Sequence, residues 1–409
     1  MQLYHYLFIF SLLLKPFYIF SSGGLQIADL FFILSFVLYV VLAGKEANIT
    51  IHKTDKWLLY FVILVFGINL VYFLLYGRFE FLKASLYYIY NFLTVLFFRI
   101  YSEDERFLVN VGKVCKLNIV IQLGIYGLNI GRYYAETRYM GTFNDPNQMA
   151  FFIFMSLITA FIISKIERSK LHVLYHIMAV GLIFLTSSTG IFLGVGVFYA
   201  VSATLAIRKL TKRSHNVMAI LSITALLMLG LLFSSQITDY VKGFSESSIM
   251  DRVEQKLDRL NENTIGPTNI QDRGIDRLVI YPEKIIYGAG EGYHGRFDRS
   301  YSMNEVHSTL LSILFYYGII PTLLFLFWCY QNIRILTVSN LAVVLALLVE
   351  SLTLLNQRQP LFWMVFLTLN ILYQQELAAK KALQNETILA SEQWDTPFSS
   401  NKLMGISEK

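Results

Sequence analysis

Charged residues are scarce in this sequence: only 15% of its 409 residues are charged, whereas 55% are hydrophobic. A soluble globular domain carries about 25% charged residues, so this composition excludes one. Cysteine is scarcer still. Cys115 and Cys329 both lie in or beside apolar stretches, which argues against a disulfide framework and against a thiolate metal site. No Asp-x-Asp motif and no histidine-rich cluster is present, so the sequence indicates no metal or other cofactor.

Long apolar stretches dominate what remains, and the mean hydropathy is +0.52. A stretch of about 20 residues crosses ~30 Å of hydrocarbon as a helix. We therefore predict an all-α polytopic membrane protein with twelve transmembrane helices. The first stretch contains Lys15-Pro16 and has no basic residues before it, so we expect a span rather than a signal peptide. The predicted spans are residues 4–21, 25–43, 57–77, 85–101, 114–131, 147–164, 171–187, 190–207, 217–235, 306–328, 336–355 and 360–375.

The short breaks between these stretches carry Lys and Arg unevenly. One alternating set of breaks is rich in them, and the other set holds only Arg78, Lys83, Arg132, Arg138 and Arg358. The rich set is expected in the cytoplasm, with both termini. Because the net charge of +6 gathers in these breaks, it indicates topology and not nucleic-acid binding.

This topology divides the chain into four parts. Residues 1–235 hold helices 1–9, residues 236–305 form an external loop with short helices, residues 306–375 hold helices 10–12, and residues 376–409 form a cytoplasmic tail. We expect the tail to continue as a short helix and then to be disordered. In the loop, Asp251–Leu260 has a helical apolar spacing, typical either of a lid or interfacial helix or of a solvated connector.

Three motifs fall on the predicted external side, and the first is the run from Arg138 to Ala150. Asp145 is expected to cap a helix, with Pro146 as its first residue and Gln148 as its third. Capping alone explains most of this pattern. However, an arginine close to a helix N-terminus also suits a phosphate group.

The second motif contains Arg273 and Arg277, which are four residues apart and would share one face of a helix. They could bind an anion, or they could belong to a solvated face of salt bridges with nearby acidic residues. The Gly288-Ala-Gly-Glu-Gly292 run follows, where the backbone could approach a bulky ligand closely.

The third motif is Glu305-Val-His-Ser308 at the start of the tenth predicted span. We expect His307 in the first helical turn, where the positive end of the helix dipole favours a neutral ring that can accept a proton. An interfacial anchor is the other interpretation. Within the spans, Lys15 and Asp29 lie near the outer ends and could reach the interface, so no chemistry is assigned to them.

Together these motifs resemble the O-antigen ligase and polysaccharide polymerase superfamily. The resemblance is carried by Gly141-Thr-Phe followed by Pro146-Asn147, by Arg277 and Gly288-Ala-Gly290, and by Glu305-Val-His-Ser followed by Tyr317-Gly-Ile-Ile. It covers the predicted topology as well, and it implies a GT-C-like fold of about twelve helices with one large external loop between helices 9 and 10.

The resemblance implies a metal-independent membrane glycosyltransferase that polymerises undecaprenyl-diphosphate-linked oligosaccharide repeat units. The product would be a capsular, exopolysaccharide or O-antigen chain, made on the outer face of a bacterial cytoplasmic membrane. Donor and acceptor would both be lipid-linked, in contact with membrane lipid. Flippase and chain-length regulator proteins would be partners.

The same resemblance assigns roles to residues. His307 is the candidate base for the acceptor hydroxyl, and Glu305 would orient its ring or share the work. Arginines would stabilise the departing diphosphate, and the candidates are Arg138, Arg273 and Arg277. Further donor or acceptor contacts are expected from Arg296, Arg299, Asn144 and Asn147.

One position departs from the family pattern, because Thr189 stands where many members have arginine. The Gly288–Gly292 and Glu305–Ser308 runs favour a polymerase. The alternatives are an O-antigen ligase that transfers glycan to lipid A core, a lipid-linked oligosaccharide flippase or transporter, and a non-enzymatic assembly partner. Transport is disfavoured because the polar groups gather at the external face and not at the bilayer midplane.

Overall fold

The computed structural model describes residues 1–20, 24–44, 49–210, 271, 273–300, 305–334 and 338–394. The described residues up to 210 contain α1 (Leu3–Leu14), α2 (Ile27–Ala43), α3 (Asp55–Tyr76), α4 (Glu80–Tyr101), α5 (Glu105–Gly127), β1 (Arg132–Tyr134), β2 (Arg138–Gly141), α6 (Pro146–Ile166), α7 (Val173–Thr186) and α8 (Thr189–Leu210). The described residues from 271 onward contain α9 (Arg277–Ile280), α10 (Lys284–Tyr287), α11 (Thr309–Tyr317), α12 (Ile319–Asn332), α13 (Val338–Ser351) and α14 (Pro360–Trp394).

Helices occupy most of the described chain, as the apolar pattern predicted. Among the described residues, α3, α4, α5 and α6 are long and apolar enough to cross a membrane, and several shorter apolar helices accompany them. These helices are consistent with a helical membrane protein. The ninth predicted span, residues 217–235, and the segment Asp251–Leu260 lie outside the described residues.

Three features differ from the prediction. The fold is not wholly α-helical, because β1 and β2 form an antiparallel hairpin in which Tyr134 pairs with Arg138. The tenth predicted span is divided into α11 and α12 at Gly318, which has a φ of +78°. Finally, α14 extends to Trp394, further than the short continuation expected after residue 375. Local backbone conformation, which apolar content does not encode, accounts for the first two.

The helix α6 lies at the centre of the described helices. It is buried along most of its length and packs against α5, α7 and α14. A helix that is apolar all round suits either a bundle centre or a lipid-facing span, and the burial of α6 shows that it occupies the centre. The N-terminus of α6 is therefore held in place from several directions.

Lys15 and Asp29 form a largely buried ion pair, which the sequence had not indicated. Lys15 Nζ lies 2.6 Å from Asp29 Oδ1, and the Tyr90 hydroxyl donates to the same oxygen at 2.8 Å. Each charge is neutralised by the other, so neither has to reach water.

A second buried ion pair lies at the end of the bundle where α3 begins. Arg99 Nε donates to Asp55 Oδ2 at 2.5 Å, and Trp328 Nε1 donates to Asp55 Oδ1 at 3.1 Å. The arginine also donates to Asn332. These contacts tie α3 and α4 to the C-terminal part of α12.

Candidate functional site

The N-terminus of α6 has the predicted cap. Asp145 Oδ1 accepts from the backbone N–H groups of Asn147 at 2.8 Å and Gln148 at 3.1 Å, and Pro146 is the first helical residue. Arg138 extends from β2 to this helix start, where its Nη2 donates to Asn147 Oδ1 at 3.0 Å. The prediction that an arginine lies beside this N-terminus is confirmed.

Arg138 also reaches the turn between α7 and α8, where its Nε donates to the Thr186 carbonyl at 3.0 Å. Gly190, the second residue of α8, lies so close to Thr353 that an added Cβ would overlap the threonine hydroxyl. Arg273 Nη1 donates to the Thr353 carbonyl at 3.1 Å. Arg138 and Arg273, far apart in sequence, therefore both donate to residues at or beside the α7–α8 turn.

Arg273 and Arg277 do not share a helical face, which corrects the sequence prediction. Arg273 lies in a turn, and α9 begins only at Arg277. The Arg273 guanidinium is half-buried, burial lowers its pKa, and no ion pair joins it to a carboxylate of the described chain. An arginine stays protonated in proteins, so a partly desolvated positive charge remains there.

Arg277 has a different environment, because its side chain is fully buried. Its Nε donates to Ser300 Oγ at 3.2 Å, its Nη1 donates to the Tyr316 hydroxyl at 3.5 Å, and its guanidinium lies 4.7 Å from the centre of the Phe297 ring. Ser300 Oγ in turn donates to Asp276. A diphosphate could reach Arg277 only if these groups moved.

His307 lies just before α11. It had been expected in the first turn of this helix, so that prediction was wrong. Ser308 is the N-cap, and α11 begins at Thr309. The backbone N–H of His307 donates to the Arg273 carbonyl at 2.9 Å, which brings the two predicted site residues together. The ring forms no hydrogen bond with any other residue in the described ranges, so both of its nitrogens remain available.

The pKa of His307 is lowered from its ordinary value, mainly by burial. Glu305 opposes this effect, Arg273 and Arg358 add to it, and Asp145 at the α6 N-terminus opposes it weakly. A lowered pKa leaves the imidazole neutral at pH 7 and able to accept a proton. Burial therefore produces the neutral ring that the helix dipole had been expected to produce.

Glu305 belongs to a charge cluster that we define as Glu291, His294, Glu305 and Arg358. Arg358 Nη1 lies 2.9 Å from Glu305 Oε2, and the same guanidinium binds Glu291. His294 Nε2 lies 3.8 Å from Glu305 Oε1. Burial alone would raise the pKa of Glu305, but Arg358 and then His294 outweigh it, so the pKa is lowered and the side chain is a carboxylate.

Glu291 is the deepest member of this charge cluster, with 1% of its surface exposed. The Tyr317 hydroxyl donates to its Oε2 at 2.6 Å, and the Tyr88 hydroxyl donates to the same atom at 3.3 Å. Its backbone N–H donates to Asn69 Oδ1 at 2.8 Å. Arg358 neutralises this buried carboxylate, and the carboxylates of Glu291 and Glu305 raise the pKa of Arg358 against the effect of its own burial.

His294 is the remaining member of the charge cluster, and burial lowers its pKa to about 4. Its Nδ1 lies 3.3 Å from the Tyr316 hydroxyl, which also accepts from the backbone N–H of Val306 at 3.0 Å. The two residues before His307 are therefore both held by hydrogen bonds, Glu305 by Arg358 and Val306 by Tyr316. Sequence reasoning missed Glu291, His294 and Arg358 as site residues, although the placement of Arg358 among the few external charges was a usable signal.

The glycine run at Gly288–Gly292 contacts the protein and not an open ligand space, which corrects the prediction. The N–H of Ala289 donates to the Phe315 carbonyl at 3.0 Å, and the N–H of Gly290 donates to the Tyr316 carbonyl at 2.7 Å. Gly288 has a φ of +84°, and a Cβ there would lie 2.7 Å from the Tyr316 carbonyl oxygen. The glycines allow this run to lie against α11 and place Glu291 in the charge cluster.

Gly288→Ala is expected to destabilise the folded protein strongly. The positive φ costs about 1–3 kcal/mol for a residue with a Cβ, and the overlap with backbone adds to it. The melting temperature in detergent should fall clearly. Gly295→Ala is the matched control, because nothing lies within 4 Å of a Cβ there. Equal melting temperatures for the two variants would contradict the packing described.

The four residues predicted to make further donor or acceptor contacts interact with other groups of the protein. Arg296 donates to the carbonyl oxygens of Ala289 and Gly290 and lies over the Phe81 ring, whereas Arg299 lies over the Tyr281 ring. Neither forms an ion pair or hydrogen bond with Glu305 or His307. Asn144 binds Arg132 and the Phe20 carbonyl, and Asn147 binds Arg138.

A scan against protein-family models gives no match, and a search of curated protein sequences gives none either. The class that the helices support is a helical membrane protein.

Proposed function

We propose that the protein is a membrane glycosyltransferase that polymerises undecaprenyl-diphosphate-linked oligosaccharide repeat units into a capsular, exopolysaccharide or O-antigen chain. The observation that carries this proposal is the position of His307. Its ring is half-buried, neutral and available, and its backbone N–H forms a hydrogen bond with the Arg273 carbonyl. A base next to a partly desolvated cation suits a transfer in which a hydroxyl loses a proton while a diphosphate departs.

The transfer breaks the bond between the sugar C1 and the diphosphate oxygen and forms a bond from C1 to the acceptor oxygen. The hydroxyl proton passes to a ring nitrogen of His307. Arg138 and Arg273 lie beside the α7–α8 turn and would bind the departing diphosphate. Glu305, fixed by Arg358, would orient the acceptor or the ring, and Arg277 would join the diphosphate contacts only after its covering groups move.

The arrangement of the helices supports the same proposal. Arg138, the α7–α8 turn and Arg358 all lie in breaks that the charge pattern assigns to the external side. Twelve spans, a GT-C-like fold, both termini in the cytoplasm and a bacterial inner-membrane location complete the proposal. The resemblance to O-antigen ligases and polysaccharide polymerases is a further support.

Reconstituted protein supplied with purified lipid-linked repeat units tests the proposal. A ladder of longer glycans, lost in His307→Ala, would support a polymerase. Transfer of glycan to lipid A core without chain growth would instead identify a ligase. Movement of the lipid-linked unit across the bilayer with no new glycosidic bond would identify a flippase, and the proposal would then be wrong.

A further inference from the structure

The glycine run lies well inside the length of a helix that can cross a membrane. The N–H of Glu291 bonds to Asn69, which is seven residues before the C-terminal end of α3 at Tyr76. At about 1.5 Å per residue, this contact lies roughly 10 Å along the helix from its end. The Tyr72 hydroxyl donates to the Gly288 carbonyl at 2.9 Å, so the start of the run lies beside the last turn of α3, nearer to its end than Glu291.

The polar backbone of this run is satisfied by protein groups. The N–H groups of Ala289 and Gly290 bond to α11, and their carbonyl oxygens accept from Arg296. Non-helical backbone is tolerated at membrane depth only where protein or a water-filled cavity surrounds it. Gly288, Ala289 and Gly290 are all buried, so this condition is met.

The helix that leads into the run has an exposed apolar side. Ile286 is 69% exposed and Tyr287 is 53% exposed. A Cβ at Gly318 would lie 2.6 Å from the Ile286 carbonyl oxygen, and the next residues of α12 include Ile320, which is 62% exposed. The exposed side of α10 therefore continues the exposed apolar side of α12.

Lys284 is the charged residue of α10, and its position is compatible with lipid. Its Nζ lies 3.3 Å from the Tyr287 hydroxyl and 4.8 Å from the centre of that ring. Lysine and tyrosine at a membrane boundary keep their apolar parts in lipid and their polar ends toward water. The pair suits the level at which lipid headgroups meet acyl chains.

We propose that residues 284–291 form a re-entrant segment in the leaflet at the C-terminal end of α3, with Ile286 and Tyr287 in contact with lipid acyl chains. The sequence alone had placed these residues in an external loop. The segment enters and leaves the membrane on the same side. Glu291 lies at the inner end of the segment and joins it to the charge cluster. This inference depends on the chain crossing a membrane and not on the reaction proposed above.

Spin labels in lipid bilayers test the segment directly. Single cysteines at Ile286 and at Tyr287 would be labelled, and collisions with dissolved oxygen compared with those of a water-soluble nickel complex. The native Cys115 and Cys329 are buried, and unsubstituted protein gives the background label. Ile320→Cys serves as the membrane reference, and Asp298→Cys, at an exposed position in the following turn, serves as the aqueous reference.

Oxygen collisions are expected to exceed nickel collisions several-fold at Ile286 and Tyr287, as at Ile320, with the reverse ratio at Asp298. Labels at Ile286 and Tyr287 that behave like the one at Asp298 would overturn the proposal. Two label positions guard against one substitution that disturbs the fold. Because no glycan transfer is measured, a negative result here is distinct from failure of the proposed reaction.

Discussion

Replacement of His307 by alanine is expected to reduce glycan growth by about 10²–10⁴-fold, the usual contribution of a positioned base. The ring makes no hydrogen bond with the described protein, so its removal should leave the melting temperature almost unchanged. The rate of ladder formation by reconstituted protein is the measurement. A variant that grows glycans at the normal rate would exclude His307 as the base.

His52→Ala is the matched control for that variant. His52 is exposed and precedes α3, at the opposite end of this helix from the glycine run. Within the described residues its side chain bonds only to the neighbouring Thr54, so the loss of the ring should affect neither glycan growth nor the melting temperature. Equal losses of activity in both variants would indicate a general effect of removing a histidine and not catalysis at His307.

The pH dependence of glycan growth follows from the lowered pKa of His307. The base must be neutral, and burial keeps it neutral to a lower pH than an exposed histidine with a pKa of about 6.5. The midpoint of the acid limb of the rate should therefore lie below pH 6.5. An acid limb centred above pH 6.5 would contradict this assignment.

Replacement of Arg358 by alanine is expected to cost about 3–5 kcal/mol of folding free energy, because it leaves the buried Glu291 carboxylate without its cation. This is a large part of the stability of a typical protein. A much lower melting temperature in detergent, or little folded protein in the membrane, is the expected result. Arg334→Ala is the control, since Arg334 is exposed and its side chain bonds only to Gln331 among the residues that the structure describes.

A double variant separates the charge effect from a general loss of packing. Glu291→Gln removes the buried negative charge, so Arg358→Met should cost less in that background than in the original protein. Melting temperatures of the two single variants and the double variant give the coupling. Strictly additive effects would show that Arg358 does not stabilise Glu291.

Features that depend on local chemistry could be predicted from the sequence. The cap at Asp145 follows from Asn-Asp-Pro-Asn, because an Asp side chain before a proline satisfies the first N–H groups of the helix. Apolar length likewise predicted α3 to α6. His307 and Arg273 were chosen for their side-chain chemistry, and the structure places them in contact through the backbone.

Features that depend on distant contacts could not be predicted. Glu291 and Arg358 are separated by 67 residues, and nothing in the residues around either shows that they pair. The glycine run suggested space for a ligand, whereas its close neighbour proved to be the backbone of α11. The burial of Arg277 was also invisible, because it depends on where Phe297 and Tyr316 lie in space.

The break at Gly318 has a mechanical consequence. On its N-terminal side, the Tyr317 hydroxyl accepts a hydrogen bond from Asn69, seven residues before the C-terminal end of α3. On its C-terminal side, Trp328 donates to Asp55 at the N-terminal end of the same helix. The two short helices are thus fastened separately to one long helix, about 20 Å apart at ~1.5 Å per residue. The helix α11, which follows His307, is therefore attached to α3 by contacts that do not depend on those at the Asp55 end.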